Sequence, residues 1–259
     1  LSDSPEPGPA GDFVRRANLA TGGTLAERVQ RQGPLPLNFQ PGSQWQYSLG
    51  LGFDALARIV ELQGGQPFDL FLEQRIFRPL GMTDTYYNVP ANRAGDMALG
   101  YSKTYKGLVR AAAASVDPAR VSYVSGAGGS GGLATTASDY WRFCQMLLNG
   151  GTLDGHRILS RKTVELMTSD AIPGLDLRNY RNGEQVLQGY GFGLGVRVRR
   201  NNGENGWLGT PGDYGWAGAT GAYFWIDPKE ELVGILMIAT PIVPLRMEFP
   251  NAVYQAVVD

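Results

Sequence analysis

One cysteine and one histidine stand in a chain of 259 residues, and each scarcity excludes a class of chemistry. Cys144 has no partner for an internal disulfide, and its place in an apolar helical pattern reads as a small packing residue. One cysteine and one histidine give no metal-ligand spacing, so no metal site and no cofactor is expected. Runs of five or six like charges are absent and the formal net charge is −1, which removes a nucleic-acid stripe and a polybasic membrane surface. The longest apolar run, within Leu232 to Ala239, is too short to span a bilayer, and no charged segment followed by an apolar one marks a signal peptide. The sequence opens on Leu1 with "LSDSPEPGPAGD", a polar Pro/Gly-rich loop with no element before it. The natural polypeptide is therefore expected to begin further upstream, where any signal peptide would have been carried.

What is present is 43% apolar and 18% charged, enough for a substantial core in one large domain or two interleaved ones. Phe53, Leu56, Ala57 and Val60 follow helical spacing and predict a helix over 51–62 that stops at Gly64-Gly65. Pro67 suits the first turn of another, with Phe68, Phe71, Leu72 and Ile76 as its buried stripe and Pro79 closing it. The acids Asp54, Glu61, Asp69 and Glu73 read as solvated helix faces. After a loop-rich stretch, Thr136 can cap a helix with Asp139 three residues on and Tyr140, Phe143, Cys144 and Leu147 on its apolar face. Ser160 can cap a shorter one reaching Met167.

Near Tyr190 the period changes to two. In "YGFGLGVRVRR" Tyr190, Phe192, Leu194, Val196 and Val198 alternate with Gly or Arg, predicting one half-buried strand. "GAYFWID" and "ELVGILMIA" predict two more, joined by the turn "DPKE", and the second is apolar on both faces as if covered by helices on each side. A final helix is expected after Pro250, packing through Val253, Tyr254 and Val257. Helices first and antiparallel strands last make an α+β arrangement with a thin sheet.

Two routes to an activated serine are open. "GGSGG", 128–132, matches G-x-S-x-G around Ser130, but a glycine-rich loop produces that pattern cheaply. His156 is the only histidine, lies in a turn, and has only Asp139 and Asp154 as candidate acids between it and Ser130. No repeated βαβ pattern accompanies it, and a flexible loop with a surface histidine accounts for the same residues. The second route needs no histidine. A lysine one helical turn after a serine can take its proton when desolvation lowers the lysine pKa, and a nearby tyrosine can relay a proton to the leaving group.

Four blocks carry a resemblance on this second route: "FQPGSQWQYSLGLGFDALARIVELQGG", "RPLGMTDTYY", "GSGGLATTASDYWRFCQMLLNGGTLDGHRIL" and "GWAGATGAYFWIDP". In this order they resemble the serine β-lactamase-like (penicillin-recognising) family, particularly the family VIII carboxylesterases, over roughly residues 38 to 240. The resemblance implies a β-lactamase/transpeptidase-like α+β fold: an antiparallel sheet flanked by helices plus a mainly helical subdomain, with its N-terminal part missing here. Residues 1–180 are expected to form the mainly helical region carrying the tyrosine motif. Residues 181–259 then supply the strands and C-terminal helix of one interleaved catalytic unit.

By the same resemblance, Tyr47 of "YSL" matches the catalytic tyrosine and Ser48 the serine that usually follows it. Leu49 departs from the asparagine common in β-lactamases. "WAG" (Trp216, Ala217, Gly218) occupies the place of K-T-G as the substrate-binding strand, and without that lysine no cation holds a substrate carboxylate. Both departures point to neutral esters. The glycine lets substrate approach the strand edge, and the backbone N–H of Ala219 is implied as an oxyanion-hole donor. No serine here has a lysine three positions on, since Ser160 has Lys162 at the wrong spacing and Ser102 is directly followed by Lys103. The S-x-x-K nucleophile is therefore expected on an upstream segment outside this sequence, required for activity, without which this chain is expected to be inert. Trp45, Trp207, Tyr214, Trp216, Tyr223 and Trp225 cluster around these motifs. Some are expected to line an acyl pocket rimmed by "RNNGENGWLGTPGDYG", with Trp225 in the core. The expected partner is a small-molecule ester, with no nucleic acid and no membrane span; bacterial cytoplasm and periplasm both stay open. Alternative readings are a transacylase, β-lactamase or D-amino peptidase of the same family, or a non-catalytic binding or regulatory member.

Overall fold

The computed structural model describes residues 12, 24–47, 51–87, 89–110, 133–177, 181–182, 185–218, 221–240 and 242–258. Two compact units are present, one of Leu1–Pro79, Thr83–Met97 and Pro118–Thr135, the other of Leu80–Met82, Ala98–Asp117 and Thr136–Asp259. Helices and strands from Thr136 onward fall within the second unit.

In the first unit, helix α1 (Leu25–Gln32) starts on a capping box: Thr24 Oγ1 accepts from Glu27 N–H at 3.2 Å, and the Glu27 carboxylate accepts from Thr24 N–H at 2.8 Å. Helix α2 (Leu51–Gly64) ends where expected, with Gly65 N–H donating to the Glu61 carbonyl at 2.9 Å. Its buried face differs from the expected stripe. Leu56 is 58% exposed, whereas Asp54 is sealed and accepts from Arg28 Nε of α1 at 2.5 Å. A carboxylate can enter an interior when a guanidinium comes with it, and α1 supplies one. Glu61 is not a solvated acid either: it accepts from Arg58 at 2.8 Å and from Phe68 N–H at 3.2 Å, satisfying a donor at the start of the next helix. That helix, α3 (Phe68–Leu72), continues through a π-helical turn, Glu73–Phe77, into a last turn, Arg78–Leu80. Pro79 thus lies inside the final turn instead of closing the segment, and the buried residues are Phe77 and Leu80.

The second unit carries a hairpin of β1 (Tyr101–Thr104) and β2 (Gly107–Arg110). Helix α4 (Ala137–Leu148) follows, with Thr136 Oγ1 accepting from Asp139 N–H at 3.2 Å as the sequence predicts. After the two-residue strands β3 (Thr152–Leu153) and β4 (His156–Arg157), helix α5 (Arg161–Met167) begins with Ser160 accepting from Thr163 N–H at 3.0 Å. Strands β5 (Arg181–Asn182) and β6 (Gln185–Val186) form a small hairpin.

Among the described residues the main sheet has five antiparallel strands in consecutive order: β7 (Tyr190–Phe192), β8 (Arg197–Arg199), β9 (Tyr214–Ala217), β10 (Tyr223–Asp227) and β11 (Leu232–Leu236). The single strand expected over 190–198 is two strands. Gly193 N–H turns back to the Val196 carbonyl at 2.8 Å, and Gly195 sits at φ +92°, which an alternating apolar pattern does not reveal. Arg197 and Arg199, which the alternation puts in solvent, are 4% and 5% exposed. Arg197 lies 4.2 Å from the Tyr190 ring centroid and 5.2 Å from that of Tyr223, where stacking replaces lost hydration.

Helices cover both faces of β10. Phe224 meets Tyr140 of α4 edge-on at 5.1 Å, and its neighbour Trp225 meets Phe249 of helix α6 (Val243–Gln255) at 5.7 Å. Strand β11, expected to be covered by helices on both faces, has only Gly234 fully buried and its other residues half-buried; it lies at an edge of the described sheet. The last helix begins earlier than expected and runs through Pro250; Tyr254 packs on Trp225 and donates to Asp227 at 2.8 Å, while Val257 is 43% exposed. No helix among the described residues is long and apolar enough to cross a membrane.

Candidate active site

In the first unit, Tyr47 follows a turn built by "QPGS". Ser43 N–H donates to the Gln40 carbonyl at 3.1 Å and Gly42 takes φ +84°, the arrangement of a type II turn with Pro at its second and Gly at its third position. Tyr47 comes out of this turn half-buried, its ring 5.7 Å from that of Phe53 in the first turn of α2. The phenol is therefore braced through its ring by an aromatic contact. Ser48 and Leu49 lie outside the described residues.

In the second unit, Trp216 is half-buried near the end of β9, opposite Phe224 and with the Phe192 ring edge-on at 5.3 Å. Ala217 pairs with Tyr223. Beyond them Gly218 N–H donates to the Ala222 carbonyl at 2.7 Å and Gly221 N–H returns to the Gly218 carbonyl at 3.1 Å, which closes the β9–β10 turn. A Cβ at Gly218 would meet nothing nearer than Ala222 Cβ at 3.6 Å, an ordinary contact, whereas one at Gly215 would strike the Phe224 carbonyl at 2.1 Å. The fold demands glycine at 215; packing among the described residues does not at 218. Ala219 lies outside the described residues.

Half of the six aromatic residues grouped around these motifs belong to the core, Trp225 among them as expected. Tyr214 is 2% exposed, Tyr223 4% and Trp225 1%, leaving Trp45 and Trp216 half-buried and Trp207 40% exposed. Burial pushes the Tyr214 phenol well above its ordinary value. The loop 201–212 is tied to its own unit, because Arg199 donates to Asn205 Oδ1 at 2.7 Å and to the carbonyls of Trp207 and Leu208 at 3.2 Å.

His156 is exposed on β4, and the candidate acid Asp154 accepts instead from Arg142. Ser130 lies outside the described residues. Ser160 is occupied as the α5 cap and Lys162 pairs with Glu165 at 2.6 Å, which accounts for both structurally. Burial raises the Cys144 thiol to about 12, so it stays protonated and unreactive near neutral pH. Among the described residues no group of three or more His, Cys, Asp or Glu side chains is gathered to hold a metal. Arg246 of α6 passed without notice in the sequence: only 4% exposed, it donates to the carbonyls of Gly218 and Gly221. A lone arginine in "VPLRMEFP" carries no local signal of such a contact.

A beta-lactamase family model matches residues 2–251. Protein Rv1367c of Mycobacterium tuberculosis is 34% identical over 207 residues, 75% of this chain and 51% of that one. Esterase EstB of Burkholderia gladioli is 45% identical over a shorter block of 60 residues, 23% of this chain and 15% of its own. The solved structure of EstCE1, a hydrolase with promiscuous acyltransferase activity, superposes with a TM-score of 0.72 at 20% identity, over 90% of this chain and 61% of that one, a likeness of fold. The chain thus spans about half the length of the curated relative it matches over most of its residues.

Proposed function

Because this chain belongs to the beta-lactamase family, we propose that it is part of a serine carboxylesterase that cleaves small neutral esters through an acyl-enzyme. The Ser-x-x-Lys nucleophile is supplied by polypeptide outside this sequence. In that reaction the serine oxygen adds to the ester carbonyl, its proton passing to the lysine–tyrosine pair; the alcohol leaves with a proton relayed by Tyr47, and water then releases the acid by the reverse relay. Gly218 and the amide of Ala219 form the edge along which the acyl group lies, with the amide as an oxyanion donor.

The observation that supports this reading best is the contrast at the end of β9. Gly218 is glycine where no neighbour among the described residues requires it, as expected where another backbone or a substrate must approach closely. The residue two before it is an indole, Trp216, where K-T-G enzymes carry an ammonium. An apolar, uncharged edge favours a neutral acyl group over a carboxylate-bearing β-lactam or peptide.

The test is turnover by the natural polypeptide that contains this sequence. Hydrolysis of p-nitrophenyl butyrate at a kcat/KM at least about 100-fold above that for a chromogenic cephalosporin is expected, the scale of about 2.7 kcal/mol in differential binding. Preference for the cephalosporin would reverse the assignment of substrate class. Turnover of neither would favour a non-catalytic member of the family.

A further inference from the structure

We propose that Phe192 sets the acyl-chain preference of the enzyme by fixing the Trp216 indole near the end of β9; this rests on the esterase reading above. The two rings stand edge-on, with centroids 5.3 Å apart and an interplanar angle of 87°, a favoured aromatic geometry. On the other flank of β9, Phe224 pairs directly with Trp216 and is itself met edge-on by Tyr140 of α4 at 5.1 Å. The indole thus has an aromatic neighbour on each side. Trp216, Phe192 and Phe224 are all half-buried, so the group keeps apolar surface open instead of closing into the core.

The backbone of Phe192 is held by a stretch outside the sheet. Its N–H donates to Asp170 Oδ1 at 3.2 Å and its carbonyl accepts from Ala171 N–H at 2.9 Å, while Asp170 is bound in turn by Arg200 at 2.7 Å. Glycines on both sides allow this close approach: a Cβ at Gly191 would strike the Asp170 carboxylate at 2.2 Å, and one at Gly193 the Met167 carbonyl at 2.2 Å. A ring on so fixed a backbone is a stop for the indole beside it. An open apolar strand edge would bind acyl chains better with every methylene it buried. A chain that runs instead onto an indole unable to swing aside meets a wall, and beyond the length that fits, each further methylene overpacks the site. Phe192 therefore acts through Trp216 as a positioning residue, and the substrates selected are esters of short acyl chains.

The test is the ratio of kcat/KM for p-nitrophenyl butyrate to that for p-nitrophenyl octanoate, measured on the natural polypeptide that contains this sequence. Wild type is expected to favour butyrate at least about tenfold, the scale of a misfitted methylene in an apolar site. Phe192→Ala, which frees the indole, is expected to lower that ratio at least about tenfold, and Phe192→Leu, which keeps apolar volume without the flat ring, about threefold. Phe192→Tyr keeps the ring and its edge-on contact, and should hold the ratio within about twofold of wild type. A purely structural role would depress turnover of both esters together and leave the ratio where it was. That result in Phe192→Ala overturns the proposal, and so does a wild type without the preference for butyrate. Should Phe192→Ala fail to fold, an unmoved ratio in Phe192→Leu overturns it equally. Turnover of neither ester by wild type removes the esterase reading and the selector role with it, whereas turnover with an unmoved ratio removes the selector role alone.

Discussion

Arg199 and Asp213 are joined Nε to Oδ2 at 2.6 Å, with side chains 4% and 1% exposed, and the same guanidinium holds the carbonyls of Trp207 and Leu208. One residue thus neutralises a buried carboxylate and pins the loop 201–212. Arg199→Met should cost about 3–5 kcal/mol in urea unfolding, the usual result of leaving a buried charge without its partner. Limited proteolysis should then cut first between 201 and 210. Arg199→Lys should restore little, since an ammonium cannot span this fan of acceptors. Stability within 1 kcal/mol of wild type would contradict the pairing.

Gly234 on β11 lies directly under the Trp225 indole, where an added Cβ would come 2.1 Å from the ring. Trp225 is 1% exposed and packed against Phe249 and Tyr254, so it has nowhere to move. Gly234→Ala is expected to destabilise by about 1–3 kcal/mol or more through overpacking. In a Trp225→Phe background the same change should cost less, a coupling that a double-mutant cycle on thermal unfolding measures.

Asp170 sets an acid-dependent part of the stability. Partial burial pushes its carboxyl up, but the Arg200 guanidinium at 2.7 Å and the N–H groups of Ile172 and Phe192 outweigh this and hold it below the ordinary aspartate value. A depressed carboxylate contributes stability that is fully present above its unfolded value and is lost as pH falls through its folded value. The stability difference between wild type and Asp170→Asn should therefore be constant above about pH 5 and shrink steadily below about pH 4. Denaturant titrations at stepped pH check this; a difference that does not change with acid would remove Asp170 from the linkage.

Tyr47 and His156 separate the two serine mechanisms. In the natural polypeptide Tyr47→Phe keeps the ring contact with Phe53 and removes only the hydroxyl. We expect kcat for p-nitrophenyl butyrate to drop about 100-fold or more with little change in thermal stability. His156→Ala, at an exposed position on a two-residue strand, should stay within about twofold of wild type. The opposite ranking of the two variants would restore the histidine route.

Local chemistry was readable along the chain wherever one residue acts on its near neighbours. Thr136 and Ser160 cap the helices they were expected to cap, and α2 stops at its glycine pair, because capping and termination involve groups three or four positions apart. The face that each element buries was less readable. Spacing groups Phe53, Leu56 and Ala57, yet α1 covers the side of α2 that carries Asp54 and leaves Leu56 outside. Likewise the 190–199 alternation predicted one strand, and a pair formed instead because Gly193 and Gly195 permit a turn; a Cβ at Gly193 would strike the Met167 carbonyl at 2.2 Å.

By itself the sequence determined the kind of protein, through motif blocks that stand in a family's order and that the family model matches over residues 2–251. Tertiary structure alone decided where the charges went. Arg197, Arg199 and Arg246 are buried because aromatic rings, a carboxylate and backbone carbonyls from distant segments converge on them. A guanidinium leaves water only when such partners are assembled, and their assembly is a property of the packed chain, invisible in any short window of it.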